Sequence, residues 1–298
     1  MSGGTRLSAW HYPAASDAWS TPAGRPCVVM AHGFGGTRDS GLAPFAERFQ
    51  AAGADVLVFD YRGFGDSDGA ERQLVDHRRH RDDYRAAVAH ARTTAGIDPD
   101  RIVLWGTSYS GGHVVAVAAD DPRVAGVIAQ GAAMDGLVAT LEILRYGGAL
   151  QLLRLVGHGL RGLVAALLRR PPHLIPLIGP PGSVGAMTAP DALSGYGAIT
   201  GPTFRNEMQA RGILLVSANR PVTRAGRLRM PLLLVIAERD TIAPVSAVER
   251  VARTARGPVT VVRQDVGHFD IYVGEPFETT VSAEVEFLGS VLGATMSA

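Results

Sequence analysis

Six short runs of mostly apolar residues, 27–31, 55–59, 101–105, 124–129, 231–237 and 259–262, each break off abruptly in small or polar residues. The first four, rich in β-branched residues, read as buried strands, and the last two, much later in the chain, as further strands. Segments of helical period lie among the first four, including 42–52 and 74–93, whose Val75, Tyr84 and Val88 supply an inward stripe. A strand followed by a helix, repeated, forces right-handed crossovers and a mostly parallel sheet flanked by helices, an α/β fold. A closing helix is expected over 279–292.

The sheet is interrupted after the fourth of these runs. Residues 135–228 are dominated by Leu, Gly, Arg and Pro, with helix-like stretches at 150–168 and 203–215 and a stiff loop at 171–182. An insertion of that length is no ordinary loop, and it is expected to form a small helical cap on a core made of 1–134 and 229–298. Its most apolar stretch, 137–168, is broken by Arg145, Arg154 and Arg161 and by glycines. No window there reaches the roughly 18 uncharged residues of a membrane span.

Composition then removes whole classes of chemistry. All 29 basic residues are arginine, which excludes a Walker lysine, a pyridoxal Schiff base and a Ser-Lys dyad. The net charge of +1 gives no whole-chain field to attract nucleic acid or an anionic membrane. One cysteine, Cys27, permits neither an intramolecular disulfide nor a cysteine-cluster zinc site, and it suits a reducing compartment. No basic segment followed by an apolar one opens the chain, so no export signal is expected and the location is expected to be cytoplasmic. No metal or cofactor is called for.

The chemistry gathers where strands end. The third run leads into Gly106-Thr107-Ser108-Tyr109-Ser110-Gly111-Gly112, after which an apolar helix begins. A tight strand-to-helix turn needs small residues two positions either side of its centre, here Gly106 and Ser110, and it lifts the Ser108 hydroxyl clear of the sheet. Two later runs end near Glu238-Arg239-Asp240 and Asp265-Val266-Gly267-His268. Sites in open α/β sheets collect at the carboxyl ends of strands. A serine hydroxyl needs an imidazole to accept its proton, and the imidazole needs a carboxylate to fix its tautomer. Ser108, Asp240 and His268 are the expected catalytic set.

This run of motifs resembles the α/β-hydrolase superfamily, whose Gly-x-Ser-x-Gly elbow departs here only in Ser110. Residues His32-Gly33-Phe34-Gly35-Gly36 are similar to the family's oxyanion loop, which implies that the Phe34 backbone N–H joins that of Tyr109 in an oxyanion hole. Asp60 to Ser67 matches the family's structural Asp-x-Arg-Gly-x-Gly-x-Ser turn, and the chain order Ser108, Asp240, His268 is the family's own. The resemblance implies a helical cap between the sixth and seventh strands. It points further to the dienelactone-hydrolase-like and polyketide-processing branch, on Gly-Thr-Ser-Tyr-Ser-Gly-Gly-His and Gly-His-Phe-Asp-Ile-Tyr.

The implied activity is cleavage of an ester, lactone or thioester through an acyl-enzyme on Ser108. A fairly apolar or polyketide-like small-molecule acyl substrate is expected. Acyl transfer or carbon–carbon hydrolysis by the same triad, or non-catalytic ligand binding, are the alternatives, and a homodimer is left open. Other candidates receive plainer roles. His32 is expected to hold its loop by hydrogen bonds, Asp270 to anchor the turn beside His268, and Glu238 to be structural. Asp135 is the alternative acid. His77 and His80, set among Arg78, Arg79, Arg81 and Arg85, read as a solvated helix face, His113 as a packing residue. His11, His90, His158 and His173 lack supporting neighbours.

Overall fold

A computed structural model describes residues 1–293; the end of the expected 229–298 segment lies outside the described residues. The strands are β1 (Ala9–Tyr12), β2 (Arg25–Ala31), β3 (Asp55–Phe59), β4 (Ile97–Thr107), β5 (Val124–Gln130), β6 (Leu174–Ile175), β7 (Met208–Gln209), β8 (Leu232–Ala237) and β9 (Val259–Gln264). Seven of them form one sheet in the order β1-β3-β2-β4-β5-β8-β9, with β1 antiparallel to β3 and the rest parallel. The helices are α1 (Ala43–Ala52), α2 (His77–Thr93), α3 (Tyr109–Ala118), α4 (Gly136–Leu167), α5 (Ala192–Ile199), α6 (Ile213–Val216), α7 (Val245–Thr254) and α8 (Gly274–Leu292).

Alternation along the strands sorts side chains into two cores, one on each face. On one face Val28, Met30, Val56, Val58, Val103 and Trp105 pack with Phe45 and Phe49 of α1 and Phe287 and Leu288 of α8. On the other, Val29, Leu57, Phe59, Leu104 and Leu234 pack with Tyr84 and Val88 of α2, Val114 of α3 and Val248 of α7. Both faces of the inner strands are thus covered, as their uninterrupted apolar runs require, while the edge strands β1 and β9 stay half-exposed.

Three expectations need correction. The inserted segment leaves the sheet after its fifth strand and returns at its sixth, one strand earlier than expected, because only the short β1 flanks β3 at that edge. Residues 203–215 are not one helix: β7 pairs antiparallel with β6, and the following turn is too tight to continue as α-helix until α6. The helix expected over 150–168 starts much earlier, at Gly136, and carries a kink at Gly148, whose φ of 71° and ψ of 175° lie outside the helical region. Asp135 begins α4 as its N-cap, accepting from the Leu137 N–H at 3.0 Å. By length and composition α4 could cross a membrane, but a row along it, including Gln151, Leu155 and Gly159, is buried in the protein.

Candidate active site

The turn from β4 into α3 holds Ser108 at φ 53° and ψ −118°, one of three non-glycine residues with positive φ among those described. Such strain persists only where the surroundings enforce it. Here the Ser108 N–H donates to the Gln130 carbonyl at 2.9 Å, and the Ser108 carbonyl accepts from Ala133 at 2.8 Å and Gly111 at 3.1 Å. At Gly106 a Cβ would stand 2.4 Å from the Ser110 carbonyl, so no side chain fits there. Ser110, the departure from the family pattern, is wholly buried and accepts from the Thr107 N–H at 2.8 Å, while its hydroxyl lies 2.8 Å from the Ala31 carbonyl. The extra oxygen ties the elbow to the neighbouring strand.

The three expected residues meet. Ser108 Oγ lies 3.0 Å from His268 Nε2, and His268 Nδ1 lies 2.6 Å from Asp240 Oδ2. The partners assign the protons: Nδ1–H donates to the carboxylate, leaving Nε2 to accept from the hydroxyl. The other Asp240 oxygen accepts from the Ile242 and Ala243 N–H groups at 2.7 and 2.6 Å, which fixes the carboxylate plane. The side chains of His268 and Asp240 are both buried, so the pair interacts in a low dielectric.

Asp135 is elsewhere engaged. Both its oxygens lie 2.9 Å from the Arg220 guanidinium, and that pairing with the capping N–H groups outweighs burial and holds its carboxyl below the usual range. Glu238 is exposed and lies 3.4 Å from Arg263, and Asp270 accepts from the Gly267 N–H at 2.7 Å, bracing the turn that carries His268. His32 is buried with Nδ1 3.0 Å from the Gly33 carbonyl, and burial pushes its imidazole down to about 4, so it stays neutral in the fold. The turn Asp60 to Ser67 is structural: Asp60 accepts from the Arg38 and Asp66 N–H groups, and Ser67 donates to the Asp60 carbonyl at 2.7 Å.

His77 and His80 do not form the expected solvated face: Arg78 and Arg85 take the exposed side of α2, while both imidazoles turn inward beside the half-buried Arg81. His80 stacks on Tyr61 at 4.1 Å and lies edge-on to His113, which in turn packs against Tyr109. Burial holds both imidazoles well below their ordinary value. Nor are His11, His158 and His173 isolated: His11 lies 2.6 Å from Asp55, and His158 and His173 stack with nitrogens 2.8 Å apart.

Phe34 and Tyr109 flank Ser108, their rings edge-to-face at 5.1 Å. Among the described residues neither backbone N–H has a hydrogen-bond acceptor, and each lines the same cavity as Ser108. Tyr196 of α5, which sequence reasoning missed, donates from its hydroxyl to the Phe34 carbonyl at 2.9 Å and so links the inserted segment to this loop. It lies 162 positions away, so no local motif marks it. The cavity measures about 220 Å³; Ile143, Tyr146 and Leu155 of α4 and Met187 form part of its wall, facing Ser108.

A family described as serine aminopeptidase, S33, matches residues 22–173. The chain is 40% identical over 275 residues to the quorum-quenching protein AidA of Acinetobacter baumannii (strain MDR-ZJ06), covering 92% of this chain and 89% of that one. It is 29% identical over 291 residues to the thiohydrolase aneE of Aspergillus aculeatus, covering 90% and 86%. Among solved structures, the α/β hydrolase GrgF from Penicillium sp. sh18 superposes with a TM-score of 0.78 at 22% identity, over 97% of this chain and 95% of that one.

Proposed function

The chain belongs to the serine aminopeptidase S33 family of α/β hydrolases, and from that premise we propose that it cleaves a carboxylic ester, lactone or thioester through an acyl-enzyme on Ser108. The observation that carries the reading is the continuous relay from Asp240 through His268 to Ser108, ending at the floor of an apolar cavity. His268 takes the Ser108 proton as the hydroxyl oxygen attacks the carbonyl carbon. The Phe34 and Tyr109 N–H groups stabilise the resulting oxyanion, with Tyr196 bracing the loop at the next peptide through the Phe34 carbonyl. His268 then protonates the leaving alcohol or thiol, and water repeats the sequence to free the acid. Interception by an alcohol in place of water would make the same intermediate an acyltransferase.

Residues 135–228 act in this reading as a cap that selects the acyl group. The names of relatives, a thiohydrolase and a polyketide transferase, support a thioester and a polyketide-like acyl substrate. A cytoplasmic location belongs to the same proposal; Cys27, the sole cysteine, is buried in β2.

Two experiments test it. Each buried methylene contributes about 0.8 kcal/mol, so four added carbons raise kcat/KM by roughly two orders of magnitude until the cavity fills. p-Nitrophenyl esters from acetate to decanoate show this rise; a profile flat or falling from acetate means the cavity does not hold the acyl chain. For the acid, Asp240→Asn is expected to lower turnover about 10⁴-fold by disturbing the His268 tautomer. Asp135→Asn leaves turnover within a few-fold, and the reverse ranking moves the acid to Asp135.

A further inference from the structure

Beyond Gly148, α4 turns one face to the cavity and another to solvent. Leu150, Leu153, Leu160, Val164 and Leu167 are all exposed, Leu153 at 67% and Leu167 at 74%. With Gly157, whose surroundings are open, they repeat at alternating spacings of three and four. At 3.6 residues per turn they fall within an arc of about 100°. Leu155 and Gly159 lie on the buried side, where Leu155 joins the cavity wall. A continuous apolar strip of this kind marks a surface built to be covered.

Its charge says by what. Between Ile143 and Pro190 the chain has no acidic residue but carries Arg145, Arg154, Arg161, Arg169 and Arg170. Arg145 lies 3.8 Å from Glu142, and Arg154 donates to the Gly182 carbonyl at 3.3 Å. Among the described residues none of Arg154, Arg161, Arg169 and Arg170 pairs with a carboxylate. Arg154 and Arg161 border the strip on one side, and Arg169 and Arg170 lie just past its end. A second copy of α4 laid antiparallel across Gly157 would set Arg154 beside the other copy's Arg161 with no carboxylate between them. An apolar strip edged only by arginine instead matches a bilayer whose headgroups are anionic.

We propose that α4 is a membrane-surface helix, lying in the headgroup region of an anionic bilayer with its leucines inserted and its arginines on lipid phosphates. The whole-chain charge of +1 gives no long-range attraction, so binding arises from this local patch. The far side of the helix walls the cavity, which places the site beside the lipid.

Co-sedimentation of the full chain with vesicles tests the proposal. Binding is expected on phosphatidylcholine vesicles containing phosphatidylglycerol, at least about tenfold stronger than on phosphatidylcholine alone, and it weakens as salt is raised. The double substitution Leu153→Glu and Leu160→Glu, on residues outside the cavity wall, should lower the partition coefficient about tenfold or more. It should leave turnover of a water-soluble acetate ester unchanged, which also shows that the variant folds. No binding to the anionic vesicles overturns the proposal. So does a dimer in sedimentation equilibrium that the same double substitution splits, since the strip would then be covered by a second copy.

Discussion

Ser108→Ala is expected to lower turnover of a p-nitrophenyl ester by about 10⁶ while leaving the thermal unfolding midpoint nearly unchanged. The hydroxyl makes one contact, with His268 Nε2 at 3.0 Å, and the elbow is held by backbone bonds from Gln130, Ala133 and Gly111 that alanine retains. The residual rate would come from binding and from the Phe34 and Tyr109 amides, which remain in place. Steady-state kinetics together with a melting curve give both readings. A variant that folds and keeps near-native turnover would remove Ser108 from the chemistry.

The second large effect is on stability and comes from His80. In the fold, burial keeps this imidazole neutral well below its ordinary value, whereas in the unfolded chain it titrates near 6.5. The unfolded state therefore binds the extra proton, and the native state loses stability as pH falls below about 6.5, by up to about 1.4 kcal/mol per unit. His80→Phe keeps a ring against Tyr61, now stacked at 4.1 Å, and removes the titrating nitrogens. The stability of the variant relative to the parent should rise by about 2 kcal/mol between pH 8 and pH 5. Urea unfolding at the two values measures it. A difference that does not change with pH would mean that His80 does not stay neutral in the native core. His32 and His113 add to the acid sensitivity of the parent in the same direction.

These residues also show what can be read from sequence alone. Ser108, Asp240 and His268 are legible because each comes soon after the carboxyl end of a strand, and a parallel sheet brings successive strand ends to one edge. Phe34 and the turn from Asp60 to Ser67 come instead from the resemblance of their motifs to those of the α/β hydrolases. His77 and His80 mislead because four arginines surround them in sequence; Arg78 and Arg85 do face solvent, but helical period turns the two imidazoles inward together with the half-buried Arg81. The stretch 203–215 has apolar spacing that suits a helix, yet pairing of β7 with β6 claims its backbone. β1 is too short and too mixed to stand out, and its half-exposed edge position explains why. Tyr196 has no local signature at all, since its role exists only when α5 folds over the Phe34 loop.

Covalent labelling tests the central claim most directly. A fluorophosphonate probe loses fluoride to a serine whose hydroxyl is activated by a neighbouring base, forming a phosphonate ester whose P=O oxygen sits on the oxyanion amides. Incubation of the full chain followed by intact-mass and peptide mass spectrometry should show one adduct, on the peptide containing Ser108, with no adduct in Ser108→Ala and much slower labelling in Asp240→Asn. An adduct on another residue, or none while the parent still hydrolyses esters, would contradict the assignment of Ser108 as nucleophile.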